Sequence, residues 1–264
     1  MSNFGAMVQA ELRKVLSRAS GQAGLAVSAV VGVGAVIALR EATDMTDAAV
    51  NGQMIAELVK PGVAKAMGWA LIARNFFVLN LILLMVTAQL MAGEMADNTL
   101  RAALVRPVSR GAILGAKFSA LGIYAALTLA ITAAIAFAGG AALFGFEESL
   151  VQVTLGYGAS LLSDMGLIAL GLLLSVLMRS VVGVVVGTVL FLMADRALAG
   201  VVWVTSMAGL PQMAKIDPFL PGTALGAWKG FNGGWETMPF VGLALFLAAC
   251  ISLAWLRFER ADVA

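Results

Sequence analysis

Residues 153–178 read VTLGYGASLLSDMGLIALGLLLSVLM, and after Arg179-Ser180 residues 181–203 read VVGVVVGTVLFLMADRALAGVVW. A helix needs roughly 20 apolar residues to cross the hydrocarbon core of a bilayer, and each run supplies them. Comparable runs at 21–39, 73–93, 116–140 and 238–256 bring the number of expected spans to six. The edges of the second and fifth are the least sharply drawn. The second holds Arg74, Asn75, Asn80 and Gln89, and the fifth carries Asp195 and Arg196 toward its far end.

Composition agrees. Of 264 residues 61% are apolar and only 12% charged, with a mean hydropathy of +0.96. Soluble domains run near half apolar and about a quarter charged, so these charges could not solvate a soluble fold of this size. The sequence predicts an all-α, polytopic membrane protein whose single transmembrane domain covers residues 1–264. A net charge of +2 gives no basic field for nucleic acid. Histidine is absent, which removes the commonest general base and metal ligand. The single cysteine, Cys250, cannot form a disulfide within the chain and reads as a small buried hydrophobe.

Catalytic motifs are missing as well. No G-x-x-x-x-G-K-[ST] occurs, and residues 111–118 have neither its spacing nor the hydroxyl that would hold magnesium. Neither HExxH nor CxxC is present, and no serine has a histidine for a triad. The chain is expected not to be an enzyme, so the energy for any transport comes from a partner or a gradient.

Lysine and arginine set the orientation. Arg13, Lys14, Arg18, Arg101, Arg106, Arg110, Lys117, Arg179, Arg257 and Arg260 fall on one side. The other side has fewer cations and the acidic excess. The first side is therefore expected to be cytoplasmic, with both termini inside. Trp69, Trp203, Trp228 and Trp235 are expected near the outer headgroups and Trp255 near the inner ones. The first apolar run follows a charged segment and is long for a signal-peptide core, so it is expected to remain as the first span.

Phe4, Met7, Val8, Leu12, Val15 and Leu16 recur at helical spacing, so residues 1–20 read as an amphipathic helix in the inner interface. A solvated start to the first span is the other reading. Between spans two and three, residues 93–110 read GEMADNTLRAALVRPVSR. Leu100, Ala103 and Leu104 make a short apolar face, acids lead and cations follow as a helix dipole favours, Pro107 stops the helix, and Ser109 can cap the next. A short rigid helix pinned between two spans can transmit force.

This loop, with Glu94, Thr99-Leu100-Arg101, Leu104, Arg106-Pro107, Ser109-Arg110 and downstream Lys117, resembles the first cytoplasmic loop of type-2 ATP-binding-cassette (ABC) permeases. Those are six-span exporter subunits, among them the permease associated with nitrous oxide reductase maturation. The six-span layout, the amphipathic start and the long outer loop at 205–237 extend the likeness along the chain. The resemblance implies an ABC exporter permease in the inner membrane of a prokaryote, paired with a second copy or a homologue. A separate cytoplasmic ABC ATPase would dock on it, and ATP and Mg would be held by that partner, with no cofactor in this chain. Residues 94–110 would form the coupling helix, with Glu94, Asp97, Thr99, Leu100, Arg101, Leu104 and Arg106 toward the ATPase, and Arg179 and Ser180 as a second contact. In the family the first and fifth spans usually form the subunit interface. Gly32 and Gly34 in span one and Gly183 and Gly187 in span five are the small residues that suit it.

Ions at membrane depth cost about 2.5–3.5 kcal/mol each on insertion scales. Asp164 lies fifteen residues before Arg179 and Asp195 sixteen after it, so both stand roughly 23 Å above the cytoplasmic turn. Matching heights suggest an Asp164–Arg196 ion pair. A polar lining near the exit of a substrate path is the alternative. The Pro- and Gly-rich outer loop is expected to form short helices dipping into the outer leaflet, as an outer gate or a plain connector. A gradient-driven transporter or channel is the second functional reading. It needs ionisable groups near the midplane, and the charges of this chain read as lying nearer the edges. Few charges face a central path, so the expected cargo is hydrophobic or amphipathic.

Overall fold

The computed structural model describes residues 4–48, 61–76, 78–100, 109–146, 149–208 and 211–260. Among them there is no strand. Seven long helices and one shorter one are numbered in chain order. They are α1 (Phe4–Ser17), α2 (Ala19–Ala48), α3 (Val63–Phe76), α4 (Val78–Ala88), α5 (Arg110–Phe144), α6 (Val151–Met178), α7 (Val181–Met207) and α8 (Thr237–Arg260). A π turn at Gln89–Gly93 and one α turn at Glu94–Ala96 prolong α4. Among the described residues six segments are long and apolar enough to cross a membrane: α2, α4 with its extension, and α5 to α8. The protein is an all-α, multi-pass membrane protein.

Buried surface sets the order of the helices. α6 is the hub, packed on α4, α5, α7 and α8, and α5 packs on α1, α2, α3 and α6. Of the apolar windows, that of α6 is 61% buried and that of α7 only 17%, so α7 turns most of its surface outward. Helix ends are fixed locally. Ser109 accepts from the Ala112 amide at 3.2 Å and Ser180 from the Gly183 amide at 3.3 Å, capping α5 and α7 as hydroxyls do. Arg179 ends α6 in a left-handed conformation (φ 51°), its amide donating to the Ser175 carbonyl at 3.0 Å.

The second span departs from the expected 73–93. Its helix starts at Val63, ten residues earlier, as α3, and α4 follows from Val78. Arg74 and Asn75 break the apolar run, yet they are tolerated because α3 packs against α2 and α5. Asn80 Nδ2 on α4 donates to the Asn75 carbonyl on α3 at 3.1 Å.

Two apolar clusters make up most of the core. One, with Val15, Leu90, Leu100, Leu121 and Phe258, lies at the end that carries both termini. The other, with Leu39, Leu71, Leu129, Val153 and Trp228, lies toward the opposite end. A layer of buried polar groups stands among them: Ser28, Arg74, Thr128, Thr132, Ser160 and Asp164.

Short helical turns at Pro211–Lys215, Asp217–Phe219, Pro221–Ala224, Ala227–Lys229 and Gly230–Gly233 form a connector folded back on α6, α7 and α8. The expected short helices are therefore present. Trp228 is a correction to the expected outer belt: it is 8% exposed and packs inside the connector, 6.2 Å from the Phe231 ring. Trp203, 61% exposed on α7, stays free to meet headgroups. Asp195 anchors the connector, its Oδ2 accepting from the Gly222 amide at 2.7 Å. A Cβ on Gly222 would run into the Asp195 carboxylate. Gly222→Ala is expected to push that carboxylate off the amide and loosen the connector. Limited proteolysis in detergent should show faster cleavage between residues 208 and 237.

Candidate functional site: a charged node at the termini end and a buried ion pair

The first site forms where α1, the extension of α4 and the start of α5 meet. Seven residues into α5, Lys117 is 0% exposed, a costly place for an ammonium without partners. It has three. Its Nζ donates to Glu94 Oε2 at 2.6 Å, to Glu11 Oε2 at 3.0 Å and to the Leu90 carbonyl at 2.8 Å. Glu94 in turn accepts from Lys14 Nζ at 3.0 Å, and Arg18 Nη2 lies 3.7 Å from the same Oε1. Burial alone would lower the pKa of Lys14, but its bonds to Glu11 and Glu94 outweigh it and hold the value above that of an ordinary lysine.

The node is thus a mixed-charge knot tying three elements distant in sequence. The π turn just before Glu94 supplies the Leu90 carbonyl, and such wide turns are frequent at functional positions. Ser20 Oγ bonds Gln89 Oε1 in that turn at 2.6 Å, adding α2 to the knot. Beyond Glu94 the chain turns at Asn98, left-handed with φ 56°, a conformation Asn tolerates better than most residues. Thr99 Oγ1 reaches back to the Glu94 carbonyl at 3.3 Å. Leu100, 1% exposed, pins the turn into the core, while Asp97 and Thr99 are exposed.

The expected coupling residues therefore divide. Glu94 and Leu100 face inward and hold the segment, and Asp97 and Thr99 face outward. Arg101, Leu104 and Arg106 lie outside the described residues. Arg179 and Ser180 are exposed at the same end. The α7 start is a neighbour of the π turn, since a Cβ on Gly93 would meet Val181 at 3.6 Å.

Small residues expected at a subunit interface divide too. Gly32 is buried inside the chain: its Cβ position meets Ile135 of α5 at 3.0 Å, so it serves packing of α2 on α5 and not a second subunit. Gly34 looks outward with nothing within 4 Å. Gly183 and Gly187 lie against Met178, with 2.8 Å from the Gly187 Cβ position to the flexible end of that side chain.

The second site is the polar layer. Here the expected Asp164–Arg196 pair is corrected. Asp164 pairs with Arg74: Nη2 donates to Oδ2 at 2.6 Å and Nη1 to Oδ1 at 3.1 Å, a two-pronged contact. Both residues are 2% exposed. Arg74 also donates to Thr128 Oγ1 at 3.2 Å and Asn75 Oδ1 at 3.1 Å, and Asn75 exchanges bonds with Ser160. Arg196 is at the matching height but exposed, lining the same cavity as Asp164. Arg74 wins because it is already inside the helix bundle, where a buried carboxylate gains most from a partner.

Asp164 has thirteen residues of α6 before it and fourteen after, so the pair lies midway along that helix. In the sequence Arg74 reads only as a polar residue near the edge of a span. A guanidinium in an apolar run demands a carboxylate, and that demand was the available signal. Lys117 belongs to the loop pattern, but nothing in the sequence pairs it with Glu11.

Among the described residues no group of three or more His, Cys, Asp or Glu could hold a metal ion. Fold and sites define a multi-pass helical membrane protein with a charged node at one end and an ion pair in its core. Residues 57–264 match the family model described as "Protein of unknown function (DUF2705)", and the chain belongs to that family. A search of the curated proteins finds no match.

Proposed function

We propose that the chain is the permease subunit of an ATP-driven ABC exporter, with the end that carries its termini in the cytoplasm. The observation that supports this best is the Glu94 knot. A segment meant to receive a push from a docked ATPase must be held stiffly to the spans it moves. Glu94 joins that segment to α1 through Lys14 and to α5 through Lys117, Gln89 ties it to α2 through Ser20, and Leu100 is a buried anchor, while Asp97, Thr99, Arg179 and Ser180 are exposed. ATP and Mg would be bound by the partner subunit. A second permease copy or homologue would pack against α7, whose surface is the least buried of the spans. The cargo is hydrophobic or amphipathic.

The test is nucleotide hydrolysis by the chain co-expressed with a soluble Walker-motif ATPase and reconstituted in lipid nanodiscs. Stoichiometric co-purification and ATP turnover that depends on the permease support the proposal. A chain that purifies alone and leaves the turnover of the ATPase unchanged contradicts it. One observation favours the second reading, a gradient-driven transporter. The Arg74–Asp164 pair lies at mid-helix, where carriers coupled to ion gradients keep their ionisable groups. Transport that persists without nucleotide and collapses with the proton or sodium gradient would favour that reading.

A further inference from the structure

A cavity of about 500 Å³ lies between α3, α4, α6, α7 and the connector. Its size falls within the roughly 300–1,000 Å³ of small-molecule pockets. Most of the wall is apolar, with Phe76, Leu84, Leu167, Leu192 and Leu225 on it. Phe76, at the end of α3, is 86% exposed, so this side of the cavity lies at the surface that lipid would cover.

The charges on the wall are unequal in what they have left to offer. Both oxygens of Asp164 are occupied by Arg74, so no carboxylate on the wall is free for a cation. Arg196 and Lys229 also line the cavity, and neither has an ion-pair partner among the described residues. Asp195, next to Arg196, is not on the wall and is held by the Gly222 amide. Lys229 sits 6.0 Å from the centre of the Trp228 ring, which keeps its ammonium near the cavity. Asn80 spends its amide nitrogen on the Asn75 carbonyl and leaves its carbonyl oxygen for a ligand hydroxyl.

Two cations with no ion-pair partner among the described residues, beside an apolar wall, suit one kind of molecule. The geometry points to an anionic amphiphile as ligand of this cavity, its phosphate or carboxylate head between Arg196 and Lys229 and its acyl tail along Leu192 and Phe76. Arg196 stands fifteen residues above Val181, roughly 22 Å along α7, which is more than halfway through a hydrocarbon core of about 30 Å. A head there would lie near the boundary at the connector end, with the tail running back into the core. The proposal deepens the permease reading by naming its substrate class. Binding itself requires no ATPase, so the two can fail separately.

The experiment is native mass spectrometry of the purified full chain, titrated with phosphatidylglycerol, oleate and phosphatidylcholine of matched chain length. One saturable site per chain is expected for the anionic species, and which of the two binds tighter tells a phospholipid source from a fatty acid. The double variant Arg196→Gln with Lys229→Gln should weaken binding at least tenfold while its melting temperature stays unchanged. Both side chains are exposed, so the variant is expected to fold. Val189→Phe, which fills the cavity from α7, should also abolish the site while leaving both cations in place. Equal binding of phosphatidylcholine, absence of a saturable site, or affinity unchanged in both variants would overturn the proposal, whatever the outcome with the ATPase.

Discussion

Asp164→Asn is expected to lower the melting temperature of the purified protein in detergent more than any other single substitution in the bundle. The change keeps the shape of the side chain and removes its charge. Arg74, 2% exposed, would then hold a guanidinium in the core with no carboxylate beside it. Losing one partner of a buried ion pair costs about 3–5 kcal/mol, because the remaining charge stays desolvated. Ordinary hydrogen bonds between membrane helices average only about 0.6 kcal/mol, so the loss of the Thr128 or Ser160 contacts would be minor in comparison. Replacing both partners, Arg74→Met with Asp164→Leu, should restore most of the stability, as apolar pairs of similar volume often do. Differential scanning fluorimetry of the three variants checks this. The permease reading expects Asp164→Asn to keep ATP turnover coupled to transport. Full stability with transport abolished would instead make the pair part of a substrate or ion path.

On the permease reading, Glu94→Ala is expected to separate ATP hydrolysis from transport. Glu94 takes Lys14, Lys117 and, more distantly, Arg18, and its backbone carbonyl accepts from Thr99. Alanine would leave Lys117 with Glu11 and the Leu90 carbonyl, so the bundle should still fold. The turn from Asp97 to Leu100 would lose its charged tie to α1 and α5. Coupling free energies of about 1–3 kcal/mol correspond to changes of roughly 5–150-fold. Transport per ATP should fall within that range, with turnover itself retained. Glu94→Gln keeps hydrogen-bonding capacity without the charge and should fall between wild type and Glu94→Ala. Measuring turnover and vesicle uptake on the same preparation separates the two quantities. Unchanged transport in Glu94→Ala would remove Glu94 from the coupling role.

Much of the fold is legible in the sequence because membrane spans are read from length and hydropathy alone. The runs 153–178 and 181–203 match α6 and α7 closely, and Ser180 caps as a short turn requires. The second span was harder. Arg74 and Asn75 lower its hydropathy, and only the packing of α3 on α2 and α5 explains why helix continues back to Val63. The Asp164 partner was missed for a related reason. Height along one helix selects Arg196, but the choice between two guanidiniums at similar depth depends on which faces the bundle, and hydropathy carries little of that. Gly32 illustrates the same limit: small residues mark close helix approach, yet the approaching helix proved to be α5 of the same chain. Glu94 was legible through its loop pattern. The knot around it was not, since Glu11 and Lys117 are 106 residues apart and meet only in the fold.

Cross-linking from Thr99 tests the central claim most directly. Thr99 is exposed on the turn that Glu94 and Leu100 hold in place. A Thr99→Cys variant in a Cys250→Ala background, carrying a short photoactivatable maleimide, would be illuminated in membranes containing the co-expressed ATPase. The account predicts an adduct with the nucleotide-hydrolysing subunit whose yield changes when ATP is bound. A probe that reacts only from the periplasmic face, or never reaches the ATPase in any nucleotide state, would contradict it.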